Sequence, residues 1–176
     1  TGKGVGIAVL DSGVAWQHAN FKDGTSSLIR EAFDFTLAGD AKRAGVTDWT
    51  PGIDVSGTLY PGSPSMDAYL AKLQGAQSAK PDRYGHGSHV ASVLVGRGAD
   101  RTPDTTGMAP NANIFSLRVL DDNGYGQLSD VLAGIDWVLY YAKWKYIRVM
   151  NLSIGAASTE SYRTDPLARA VRSAVA

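Results

Sequence analysis

Asp11 closes an unbroken apolar run, Val-Gly-Ile-Ala-Val-Leu at residues 5–10, and is followed by Ser12-Gly13. Ligands and reacting groups gather at the carboxyl ends of strands in open parallel sheets. A carboxylate there can orient a histidine or hold a metal. Taken alone, Asp-Ser-Gly is also ordinary turn chemistry. His86 stands in Tyr84-Gly85-His86-Gly87-Ser88-His89-Val90-Ala91. Glycines on both sides let other backbone come close. A helical pattern follows at once, and the positive end of a helix dipole disfavours a charged imidazolium, which suits a neutral base. His89 lies one turn further on. His-x-x-His without the glutamate of the helical zinc motif is a weak metal signal, so His89 reads as a packed structural histidine. His18, the third histidine, lies in a loop pattern and carries no signal.

Two more segments are candidates. Asp121-Asp122-Asn123-Gly124-Tyr125-Gly126 follows a strand pattern and precedes a long helix pattern. It is too short and wrongly spaced for a helix-loop-helix calcium site. Asn151-Leu152-Ser153-Ile154-Gly155 ends a third strand pattern at the same rim.

The elements that must position these groups are legible as hydrophobic patterns. Strands are expected over residues 5–10, 112–120 and 147–152. Helices are expected over 86–95, with Val90, Val93 and Leu94 on one face, and over 127–143, with Leu128, Val131, Leu132, Ile135, Val138, Leu139 and Ala142 at helical spacing. Asp165-Pro166 reads as a cap followed by proline at the first helical position. Leu167, Ala170, Val171 and Ala174 then mark a buried stripe. Strands alternating with helices argue for a three-layer α/β fold with a mostly parallel sheet. Residues 37–82 are rich in Gly, Pro, Ser, Thr and Asp and read as a long surface insertion, with a short helix around 66–73. Insertions of this length are usually functional or mobile.

Composition removes several classes of function. Lys plus Arg equals Asp plus Glu at 17 each, so the formal net charge is 0, and the electrostatic argument for a nucleic-acid or acidic-membrane partner is missing. There is no cysteine, which excludes disulfides, thiolate metal sites and cysteine nucleophiles. No apolar run approaches the roughly 20 residues that span a bilayer.

Taken in order, the motifs resemble the subtilisin family of serine endopeptidases (subtilases). The resemblance rests on Asp11-Ser12-Gly13, on Gly85-His86-Gly87-Ser88-His89-Val90-Ala91, and on Gly107-Met108-Ala109-Pro110. It rests also on Val119-Leu120 with Asp122, Gly124 and Gly126, and on Asn151-Leu152-Ser153-Ile154-Gly155. It implies that His86 is the general base and that Asp11 holds the imidazole in the correct tautomer. The order Asp, His, Ser is that of subtilisin. It further implies two edges, Gly124-Tyr125-Gly126 and Ser153-Ile154-Gly155, that clasp an extended polypeptide by strand-like pairing. Tyr125 and Ile154 would line apolar pockets beside the scissile bond.

The chain departs from the family pattern in places. Ser88 replaces the usual Thr, Ser92 replaces a usual Gly, and the 75 positions from Asp11 to His86 exceed the compact enzymes' spacing. Only 90 residues follow His86, and none carries the family's Gly-Thr-Ser-x-Ala type nucleophile turn. Gly24-Thr25-Ser26-Ser27 precedes His86 and reads as loop. Ser153 belongs to the substrate edge, and Asn151 is not the family's oxyanion asparagine. Residues 1–176 thus read as the N-terminal part of one peptidase domain, incomplete at the C-terminus. The serine and the oxyanion asparagine would lie beyond Ala176, and this polypeptide alone is expected to hydrolyse no peptide bond. The expected partners are a polypeptide substrate, the missing C-terminal half and an inhibitory pro-segment, with no nucleic acid and no membrane. The resemblance implies secretion and no cofactor. Structural calcium is compatible with it, without assignable ligands.

Three other readings compete. A noncatalytic peptide-binding module of the same fold would need neither Asp11 nor His86. A phosphotransfer fold would want a second Asp at position 13, where Gly stands. The dinucleotide fingerprint fails because Gly2, Gly4 and Gly6 precede or enter the first strand rather than follow it.

Overall fold

Residues 5–10 are apolar without interruption, so a strand made of them can be covered on both sides. The computed structural model describes residues 1–37, 63–77, 81–98 and 105–176. In it, β1 (Gly6–Asp11) is buried at every position. Ala8 and Leu10 face one core, with Phe33, Phe115 and Leu117. Ile7 and Val9 face a second, with Val14, Ala91 and Ile114. Burying each large aliphatic of this strand stabilises the fold by about 1.5–3 kcal/mol.

The main sheet has the order β4-β5-β1-β6, with β4 (Ile29–Asp34), β5 (Asn113–Arg118) and β6 (Ile147–Leu152). All its pairings are parallel. This is the α/β sheet with helices on both faces that the alternating pattern implies. The strand β4 is an addition to the sequence reading. Its Arg30 and Glu31 break the apolar signal, yet Ile29, Phe33 and Asp34 are buried. A small antiparallel ribbon, β2 (Lys22–Asp23) with β3 (Ser26–Ser27), turns at Gly24, so Gly24-Thr25-Ser26-Ser27 is half hairpin and not plain loop.

Among the described residues four helices cover the sheet. The helix α1 (Pro64–Gln77) corrects the expectation of a short surface helix: it is 14 residues long and its Leu73 is wholly buried against the first core. The rest of the expected insertion, 38–62 and 78–80, lies outside the described residues. The helix α2 (His86–Val95) has the expected bounds, and Val90 and Leu94 of its expected face pack partly on the second core, but the fully buried positions are others. Gly87, Ala91 and Val95 face the sheet, whereas Val93 is 55% exposed. Small residues at i and i+4, Gly87 and Ala91, let this helix lie close to β1, a signal that a search for large apolar residues overlooks.

The helix α3 (Leu128–Lys145) buries Val131, Ile135, Trp137 and Val138, while Leu128 and Leu139 at the ends of its stripe are exposed. It stops at Tyr146, whose left-handed φ of 53° is the one positive φ outside glycine among the described residues. The Tyr146 N–H closes the last turn on the Ala142 carbonyl. Asp165 caps α4 (Pro166–Val175) by accepting the Ala168 N–H at 2.8 Å, as the Asp-Pro pair implies. Its stripe of Leu167, Ala170 and Val171 is half-buried on the first core, with no position fully buried. No helix of the described residues is long and apolar enough to cross a membrane.

Candidate active site

Three strands end in one row: Asp34 and Asp11 each pair in register with Arg118 of β5. Asp11 is fully buried. Its backbone carbonyl accepts from the Val119 and Leu120 N–H groups at 2.8 and 3.2 Å, which extends the strand pairing just past β5. Its carboxylate accepts the Ser12 N–H at 2.7 Å. His86 Nδ1 lies 2.8 Å from Oδ1 and 3.0 Å from Oδ2 of Asp11. Beside a carboxylate acceptor the proton belongs on Nδ1, which leaves Nε2 as the acceptor nitrogen of the neutral ring. The Asp11 side chain is sealed, while that of His86 is 40% exposed. One ring edge is therefore held in the protein while the rest can meet a substrate.

The pair can come together because Gly87 has no side chain. A Cβ there would lie 2.1 Å from the Gly13 carbonyl oxygen and 3.1 Å from Asp11 Cβ. Gly13 itself sits at φ +107°, with the Pro81 carbonyl 1.9 Å from where its Cβ would be. Backbone from three segments is thus stacked around the carboxylate.

Asp82, which sequence reasoning missed, joins these segments. Its Oδ1 accepts from Ser12 Oγ at 2.9 Å and from the Gly85 N–H at 2.8 Å. Its Oδ2 accepts from the Ser88 N–H at 2.8 Å and from Ser88 Oγ at 2.5 Å. The available signal was an acidic residue just ahead of a helix start, where side-chain caps belong. The two Ser departures from the family pattern also have visible places. Ser88 Oγ accepts the Ala15 N–H at 2.8 Å, and Ser92 Oγ accepts from Asn20 Nδ2 at 2.8 Å.

Arg118 was also missed as a site residue. Its side chain is 8% exposed and reaches Asp34 at 3.3 Å, Asp122 at 2.7 Å and the Leu120 carbonyl at 3.1 Å. It ties the loop 121–126 to the sheet. Asp121 closes that loop: its side chain accepts from the Asn123 and Tyr125 N–H groups, and its N–H donates to the Tyr125 carbonyl at 2.7 Å. Those backbone donors, from Tyr125 first and then Asn123, lower the Asp121 pKa.

The six residues expected at the substrate edges are placed as follows. Gly124 has φ +81°, and the Tyr84 ring lies 2.5 Å from where its Cβ would be. Tyr84 also sits 6.3 Å from His86, ring centre to ring centre. Tyr125 is 76% exposed. Gly126 is pressed against the Val119 carbonyl, 2.2 Å from a notional Cβ. Ser153 and Gly155 are exposed and follow β6, while Ile154 packs partly on the first core. His89, expected to be packed, is instead exposed, and His18 caps a short 3-10 turn by accepting the Asn20 N–H. Among the described residues no group of three or more His, Cys, Asp or Glu side chains is arranged to hold a metal.

A buried, oriented carboxylate–histidine pair at the carboxyl rim of a parallel sheet, set beside a glycine-bearing loop, can take up and release a proton at Nε2. The subtilase family model matches residues 2–176, and the chain belongs to that family. It is 29% identical over 159 residues to the serine protease AprX of Bacillus subtilis, covering 84% of this chain and 36% of that protein. It is 32% identical over 136 residues to subtilisin-like protease 4 of Trichophyton equinum, covering 74% of this chain and 31% of the relative. Among solved structures, sphericase superposes with a TM-score of 0.61 at 25% identity, over 98% of this chain and 43% of its own. The CspB protease of Clostridium perfringens superposes with a TM-score of 0.64 at 16% identity, covering 98% of this chain and 34% of that one, a likeness of fold. The chain therefore spans about a third of the length of these curated relatives.

Proposed function

We propose that residues 1–176 supply the acid–base half of a serine endopeptidase site. The observation that carries this reading is the 2.8 Å contact between the buried Asp11 carboxylate and His86 Nδ1 at the strand-end rim. In this reading His86 Nε2 accepts the proton of a serine hydroxyl while that oxygen attacks a peptide carbonyl. Asp11 keeps Nδ1 protonated and stabilises the imidazolium that forms. The imidazolium then gives its proton to the departing amine. Gly124-Tyr125-Gly126 and Ser153-Ile154-Gly155 pair with the backbone of a polypeptide substrate, and Tyr125 and Ile154 wall apolar pockets. The serine and the oxyanion asparagine come from outside residues 1–176, so these residues alone turn over no peptide. Loss of the nucleophile removes nearly all triad catalysis because the triad acts as a unit. Secretion and regulation by an inhibitory pro-segment belong to the same reading. Relatives such as the minor extracellular protease Epr of Bacillus subtilis support the first.

The test combines residues 1–176 with a downstream subtilase half that carries the serine. Peptidase activity and fluorophosphonate labelling should appear only in the mixture, with the label on the downstream half. Asp11→Asn should lower kcat by about 10⁴. Fluorophosphonate on any serine within residues 1–176 would sink the proposal.

A further inference from the structure

Asp82 touches neither His86 nor Asp11 by any hydrogen bond in the structure, yet it grips both neighbours of that pair. Its carboxylate takes the Ser12 hydroxyl, one residue after Asp11, and the Gly85 N–H, one residue before His86. It also takes the N–H and hydroxyl of Ser88, two residues after His86. The two hydroxyls pass the grip on. Ser12 Oγ accepts the Gly87 N–H at 3.0 Å, so the residue after Asp11 is bonded to the residue after His86. Ser88 Oγ accepts the Ala15 N–H at 2.8 Å, which bonds the helix back to the chain leaving β1. Each hydroxyl donates once to Asp82 and accepts once from backbone across the gap. The result is a closed square of hydrogen bonds between the end of β1 and the first turn of α2, and Asp82 is its only acceptor-only corner. A carboxylate suits that corner because each oxygen accepts two donors, and charge-assisted bonds are about twice as strong as neutral ones.

We propose that Asp82 is a positioning residue for the Asp11–His86 pair: it holds the strand end and the helix start at the spacing that keeps His86 in the Nδ1–H tautomer, with Nε2 free to accept a proton. This inference rests on the endopeptidase reading for its purpose, but its test reads the pair itself and needs no peptidase activity.

The experiment is nitrogen-15 NMR of the histidine rings in the intact chain. It follows the His86 tautomer and the solvent exchange of its Nδ1 proton, with thermal unfolding alongside. In the parent, His86 should show one tautomer and a slowly exchanging Nδ1–H. Asp82→Ala should mix the tautomers and speed that exchange by about tenfold or more, since several hydrogen bonds are lost. The double variant Ser12→Ala with Ser88→Ala keeps the charge of Asp82 and removes its hydroxyl partners; it should behave the same way. It decides the matter if Asp82→Ala does not fold. Ser88→Thr keeps the hydroxyl and should restore the parent spectrum. Ser92→Ala removes a hydrogen bond from the same helix, the one to Asn20. It should lower thermal stability without changing the His86 signal. Tautomer and exchange in the double variant within about twofold of the parent, against the hydrogen-bond loss expected, would overturn the inference. So would an equal spectral change in Ser92→Ala. If the combined halves cleave no peptide while the Asp82 variants still disturb His86, the endopeptidase reading fails and the positioning role stands.

Discussion

Replacing Gly87 by Ala adds one methyl group where the structure leaves room for a hydrogen. The new Cβ would sit 2.1 Å from the Gly13 carbonyl oxygen, where contacts below 3.0 Å are essentially never seen. The neighbour is backbone and cannot swing aside, and Gly13 is itself pinned under the Pro81 carbonyl. The end of β1 and the start of α2 must therefore part by about 1 Å to reach even a tight contact. Two consequences follow from that displacement. Overpacking of this kind costs about 1–3 kcal/mol. At about 2–4 °C per kcal/mol for a domain of this size, the unfolding midpoint should fall by about 2–12 °C. The Asp11–His86 hydrogen bond is now 2.8 Å. Opened by about 1 Å, it passes the length at which a hydrogen bond exists. The His86 Nδ1–H resonance should move to a solvent-exchanging position in the same variant. Gly75→Ala is the internal control. Nothing lies within 4 Å of its notional Cβ, on a helix. It should gain up to about 1 kcal/mol from helix propensity. A Gly87→Ala protein with a midpoint within about 1 °C of the parent, far inside the range expected for overpacking, and an unmoved Nδ1–H signal would refute the close-approach argument.

Arg118→Ala strips the guanidinium from Asp34, whose side chain is 6% exposed, and should cost about 3–5 kcal/mol in denaturant unfolding; a loss below about 1 kcal/mol would show that the hydrogen bonds Asp34 already accepts from the Thr36 N–H and hydroxyl suffice without the cation. The Tyr69 hydroxyl is pushed up to about 12 by burial first and by the Asp130 charge second. The folded state thus holds that proton more tightly than the unfolded chain. The stability it contributes is whole below pH 10 and is lost as pH rises through about 12. Tyr69→Phe should lack this alkaline component, and stability–pH curves that stay parallel to the parent across that window would contradict it. Burial, and to a lesser degree the Asp34 charge, raise the Asp130 carboxyl above its ordinary 3.8 against the opposing Ser129 hydrogen bond. A raised carboxyl costs stability once it ionises. Asp130→Asn should therefore be the more stable protein at neutral pH, with the difference fading as pH falls below 3.8. A less stable Asn variant at neutral pH would count against this.

The strands and helices that the sequence revealed are those whose apolar signal is strong. β1 declares itself because both faces are buried, and β6 because Ile147, Val149, Met150 and Leu152 outnumber Arg148 and Asn151. β4 stayed hidden because an edge strand tolerates Arg30 and Glu31, and Glu31 is spent on an ion pair with Lys145. Of the α2 face, Val90 and Leu94 were legible but Gly87 and Ala91 were not, because closeness to β1 is carried by what is missing there, whereas periodicity counts what is large. Asp11 and His86 were legible through the glycines and the strand end around them. Asp82 and Arg118 were not, because for each one deciding partner lies 70 or more positions away in sequence, Ser12 for Asp82 and Asp34 for Arg118.

The central strand also sets a clock. Gly6 of β1 finds its partner at Asn113, and the other edge of β1 waits for Ile147. At a synthesis rate of about 5–20 residues per second, β1 spends on the order of 5–20 s without either neighbour. During that time its apolar face is open to anything that binds a bare strand. Parallel pairings of such long reach also make folding slow, since loop closure is spent before any contact rewards it. Molecules carrying these residues should depend on chaperones, or on a templating partner, until Asn113 and Ile147 have emerged.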